Sequence, residues 1–169
     1  MKDKLLIYEF DCLDTIFSID RVLLKKVCSN IIIPRIVYYE IKNRVDSETQ
    51  KTIKSLTRSK FVILEDFDIY TPEYKFYKSL IKGIECKCRG KCESAAITIA
   101  KENNLTILSN YEKDYITEYN LNTISLVDML RNAYNTELIT LSEAEKVWKK
   151  IPNSIREYSS FAQFIKLET

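Results

Sequence analysis

Short apolar runs separated by stretches of helical length constrain this chain more than any other feature. Residues 4–10 are largely apolar and interrupted by Glu9, Ile31-Ile32-Ile33 is β-branched, and residues 61–64, 105–108 and 121–125 repeat the pattern. Runs that do not alternate with polar residues read as strands buried on both faces. Between them apolar residues recur at helical spacing. Ile16, Phe17, Ile19, Val22, Leu23, Leu24 and Val27 suit one or two short helices, and Val37, Ile41, Val45, Ile53 and Leu56 suit one helix from Ile36 to about Ser55 behind Pro34. Thr71-Pro72-Glu73 opens another, Gly90 precedes a helix with Glu93 in its first turn, and residues 126–134 form the next. Strands alternating with helices predict a three-layer α/β/α fold around a central parallel sheet of four to five strands. Residues 137–169, with a helix from Leu141 to Lys150 and an amphipathic piece carrying Phe161, Phe164 and Ile165, are expected to be a C-terminal helical extension of the domain formed by residues 1–136.

Composition narrows the chemistry. The count of His is 0, so no Ser-His or Cys-His nucleophile pair, imidazole base or His-ligated metal is possible. A net charge of +2 leaves any polyanion to a local patch. The 5 cysteines, an odd number, disfavour a disulfide framework. No apolar run approaches the roughly 20 residues of a membrane span, and the start, Met1-Lys-Asp-Lys4, lacks a signal-peptide core. A cytoplasmic location without membrane association is therefore expected.

Four acids stand at the places where a doubly wound sheet gathers its ligands. Asp11 ends the first strand, Glu40 lies one turn into the helix after the second, Glu93 opens a helix, and Asp114 follows the strand at 105–108. Ser109 and Asn110 stand beside the last of these. Each acid alone reads more simply as a helix cap or a solvated face. Together they need a compensating cation, and hard oxygen ligands suit Mg²⁺ or Mn²⁺.

The segments Tyr8-Glu-Phe-Asp11-Cys12, Ile33-Pro34-Arg-Ile-Val37-Tyr-Tyr-Glu40, Gly90-Lys-Cys-Glu93-Ser-Ala-Ala-Ile97 and Ile107-Leu108-Ser109-Asn110-Tyr-Glu-Lys-Asp114 resemble the ordered acidic motifs of the PIN-domain family. The resemblance covers about residues 4–130 and implies a PIN-like fold and a Mg²⁺- or Mn²⁺-dependent ribonuclease. It implies Asp11 as central metal ligand, with Glu40 and Glu93 completing the cluster. Asp14 is a rival, since Asp-Thr also opens the first motif in many members. Many members carry Thr-x-Asp after the fourth strand; here Ser109-Asn110-Tyr111 stands instead, so the fourth acid is Asp114 or is lost. The implied activity is RNA phosphodiester cleavage, as in the toxin of a toxin-antitoxin pair with its antitoxin as partner. The alternative is a catalytically weakened RNA- or protein-binding module.

The segment between the helix at 72–82 and Glu93 carries Cys86, Cys88 and Cys92, three thiols where structural zinc takes four ligands. It also carries Lys82, Lys87, Arg89 and Lys91, a basic rim suited to RNA phosphates, with Tyr74 or Tyr77 available to stack on bases. Homodimerisation is a general prior for such a chain, with no residue assigned to it.

Overall fold

The computed structural model describes residues 4–84, 87, 89–111, 113–156 and 160–166. Its strands are β1 (Lys4–Leu6), β2 (Asn30–Pro34), β3 (Val62–Glu65), β4 (Thr106–Leu108) and β5 (Asn122–Ile124). They make one five-stranded sheet in the order β3-β2-β1-β4-β5, and every pairing is parallel. Successive side chains leave opposite faces of a strand. Leu5, Ile7, Ile31, Ile33 and Leu108 accordingly enter one core, and Leu6, Ile32 and Ile107 enter the other.

On the first face lie α1 (Phe10–Ser18), α2 (Arg21–Val27), α3 (Arg35–Ile41), α4 (Ser47–Arg58), α8 (Leu126–Asn135), α9 (Leu141–Trp148) and α10 (Phe161–Lys166). The second face is covered by α5 (Pro72–Lys82), α6 (Lys91–Asn103) and α7 (Asp114–Tyr119). This is the expected three-layer arrangement around a parallel sheet. Ala144, Val147, Trp148, Ile151 and Phe164 belong to the same core as Leu5 and Ile7, so the extension is built into the first face. Among the described residues no helix is long and apolar enough to cross a membrane.

Four local features depart from the sequence expectations. β1 stops at Leu6, and Asp11 lies in the first turn of α1 rather than at a strand end. The expected helix from Ile36 is broken into α3 and α4, which leaves Glu40 in the last turn of α3. The break is chemical: Asp46 accepts from the backbone N–H groups of Glu48 and Thr49 at 2.7 and 2.8 Å and starts a new helix. Gln50 holds the preceding end by donating to the Lys42 and Val45 carbonyls. The loop expected after β4 turns into α7 at Asp114, and α9, which starts at Leu141 behind a Thr140–Glu143 capping box, ends at Trp148 rather than at Lys150.

Candidate active site

The order β3-β2-β1-β4-β5 reverses direction between β1 and β4, and the carboxyl edge there is where an open parallel sheet forms a crevice. The chain leaves β1 extended through Ile7, Tyr8 and Glu9, and Glu9 takes the N-cap position of α1 with φ −83° and ψ 134°. Its carboxylate makes no cap bond to the helix and faces the crevice instead. Ser109, the first residue past β4, is buried and donates from Oγ to Glu9 Oε1 at 3.0 Å. Tyr8 donates its hydroxyl to the same oxygen at 3.2 Å, and the Lys113 ammonium lies 3.5 Å from it. The Glu9 side chain is 9% exposed. Three donors thus converge on one carboxylate oxygen.

Asp11 stands two residues on, in the first turn of α1. Its Oδ1 accepts from the Cys12 N–H at 3.0 Å and its Oδ2 from the Tyr111 hydroxyl at 3.3 Å. Glu9, Asp11 and Cys12 form a trio whose ligand atoms lie within 4.8 Å of one another, the one such group of three among the described residues. The Cys12 thiol donates to Glu9 Oε2 at 3.6 Å and accepts from Asn110 Nδ2 at 3.2 Å. Burial first, then the charges of Glu9 and Asp11, push this thiol far above its ordinary range. Without a cation beside it, the thiol therefore stays protonated. Asn110 also accepts from the Leu126 N–H at 3.1 Å, tying the end of β4 to the starts of both α1 and α8.

Glu93, in the first turn of α6 on the other face of the sheet, stays outside the trio and lies 4.0 Å from Arg89. Tyr8 and Tyr115 share a 2.7 Å hydroxyl contact, and the charges of both Glu9 and Glu93 act on each ring. Burial raises Tyr8 strongly and Tyr115 to about 12, so both phenols are neutral and able to donate. Glu40 is exposed and faces the Cys92 thiol, which burial and that carboxylate push up to about 12. Asp14 is exposed on α1, outside the trio.

Asp114 does not join Asp11. Arg89 donates to Asp114 Oδ1 at 2.8 Å and to Glu118 Oε2 at 2.6 Å, and Lys87 lies 3.0 Å from Asp114 Oδ2. The bonds from Arg89 and Lys87 hold the Asp114 carboxyl at about 2, well below the usual carboxylate range. Arg89 also comes within 4.0 Å of Glu93 and lies against the rings of Tyr115 and Tyr119. With a side chain only 2% exposed, Arg89 is a buried clamp and offers nothing to an RNA backbone. Burial works against its charge, and the bonds it donates to Asp114 and Glu118 overcome that and raise its pKa. Lys82, Lys87 and Lys91 are exposed, with Lys87 spent in part on Asp114. Cys86 and Cys88 lie outside the described residues.

Glu9 is the site residue that motif reading passed over. Its signal was present: a carboxylate in an otherwise apolar run must be satisfied by donors or put to use. Comparison with protein-family models, with curated proteins and with solved structures returns no match to this chain.

Proposed function

We propose that the protein is a divalent-cation-dependent ribonuclease whose cation is held by Glu9 and Asp11, with Glu93 facing it across the tyrosine pair. The observation that carries this reading is the Glu9–Asp11 carboxylate pair gathered at the sheet's reversal point, with Ser109 and Tyr8 donating to Glu9. The donor set fits Mg²⁺ or Mn²⁺. Such ions take one or two carboxylates and keep water or substrate phosphate in their other positions. A bound cation supplies an activated water and neutralises charge on the phosphoryl group. The chain's own part is to fix Glu9 and Asp11 in one orientation through Ser109, Tyr111 and the Cys12 N–H. Lys82 and Lys91 are exposed cations beside the Glu93 helix start and suit the phosphates of a single strand. The substrate class, and the toxin role with its antitoxin, rest on the motif resemblance.

A second reading is favoured by Lys113. Its ammonium already compensates Glu9, and Asp114 is engaged elsewhere, which suits a PIN-like module that binds RNA or protein without turnover. Mn²⁺ titration followed by cleavage of labelled single-stranded RNA separates the two. Glu9→Gln is expected to weaken Mn²⁺ binding and cleavage by roughly 100-fold or more, and Lys113→Met to strengthen Mn²⁺ binding. Equal residual cleavage by wild type and Glu9→Gln would leave the binding module as the function.

A further inference from the structure

A second cleft opens on the same carboxyl edge, two strands from Glu9. It holds about 330 Å³ and is walled by Phe67, Tyr74 and Tyr77, with Arg35 and Asp66 at its rim. That volume lies at the lower end of small-ligand sites, which run from ~300 to 1,000 Å³. Its level is set by register. Pro34 pairs with Glu65 across β2 and β3, and Leu6 pairs with Ile32 across β1 and β2, so Tyr8 stands level with Pro34 and Glu9 one residue beyond. At one to two strand spacings the cleft is roughly 5–10 Å from the end of β1. Ala95 of α6, two residues after Glu93, lines its wall.

The chemistry of the lining is selective. The three rings pack with centroids 4.8 to 6.2 Å apart and are tilted by 37 to 50° to one another, and Phe67 and Tyr74 remain half-buried, so aromatic surface is left for a further ring. Glu65 and Asp66 make the rim a poor place for a phosphate. Arg35 Nε lies 3.3 Å from Asp66 Oδ2, and both side chains are well exposed at 43% and 59%. Acceptor and donor are thus presented side by side at the mouth of an aromatic slot. Adenine and cytosine carry the matching edge, an exocyclic amino group next to a ring nitrogen that accepts. Uracil has no amino group.

Resting on the ribonuclease reading, we propose that this cleft takes an unstacked nucleobase bearing an exocyclic amino group from the RNA strand whose phosphate lies at Glu9. The ring stacks on Tyr74 and Phe67, Asp66 accepts from the amino group, and Arg35 donates to the neighbouring acceptor. The cleft would then set which nucleotide stands beside the cleaved bond.

Binding can be read without turnover by fluorescence anisotropy of short labelled oligo(A), oligo(C) and oligo(U) in EDTA. Wild type should bind oligo(A) and oligo(C) roughly three- to tenfold more tightly than oligo(U), as one or two hydrogen bonds would give. Asp66→Ala should erase that preference. Tyr74→Ala should weaken all three by roughly tenfold, with Tyr74→Phe restoring binding and so separating stacking from misfolding. Equal binding of the three oligomers by wild type, binding of none of them, or a preference that survives Asp66→Ala overturns the pocket. Mn²⁺-dependent cleavage of the same oligomers is scored separately: cleavage without preference sinks the pocket alone, and preference without cleavage sinks the ribonuclease alone.

Discussion

Arg89 shows how one side chain decides the arrangement of several others. Its guanidinium takes Asp114 and Glu118 directly and approaches Glu93, so three carboxylates from α6 and α7 are organised by one buried cation. Replacing it by Met is expected to cost about 2 kcal/mol in urea unfolding, because charged hydrogen bonds are lost while the carboxylates keep partial access to water. Asp114 gives the same pairing a pH signature. Its folded pKa is depressed to about 2 from the ordinary ~3.9, so the unfolded chain binds the proton first. The stabilisation is present above pH ~4 and is lost as the pH falls toward about 2. Wild type should therefore lose stability more steeply than Asp114→Asn across that window; parallel acid titrations of the two would contradict it. Asp114 was legible as an acid near a strand end. What it pairs with was not, since Arg89 and Asp114 lie 25 residues apart with no local pattern linking them. Glu9 stayed hidden for a different reason: apart from its neighbour Tyr8, the serine and lysine that hold it follow β4, far along the chain.

At the scale of elements, the strands were plain because burial on both faces leaves uninterrupted apolar runs. The break between α3 and α4 was not, because Val37, Ile41, Val45, Ile53 and Leu56 are all buried and keep one periodicity across it. Periodicity reports which face is covered and is blind to a capping bond. Asp46→Ala removes both N-terminal acceptor bonds of α4 and should cost about 1 kcal/mol, read as a lower urea midpoint with an unchanged m-value. A changed m-value would mean that α3 and α4 merge or that the native state loosens. The short α7 escaped notice for the opposite reason: it has little amphipathic pattern and is held by Arg89 and by the buried Tyr115.

For the molecule as a whole, the extension is inseparable from the sheet it covers. Trp148 and Phe164 pack with ring centroids 4.9 Å apart inside the core that also holds Leu5, Ile7 and Leu108. A chain cut after Thr136 should expose that core, lose cooperative urea unfolding and bind a hydrophobic dye, whereas retained two-state unfolding would mark the last helices as dispensable. The sheet order carries a consequence in time. β1 is made first yet sits in the middle, and Ser109 meets Glu9 across 100 residues of chain. A nascent chain therefore carries Glu9 and Asp11 well before β4 and has no crevice until β4 has been synthesised and closed against β1. The pairing of Ser109 with Glu9 is thus a late event of synthesis, made only after the 100 residues that separate them have left the ribosome.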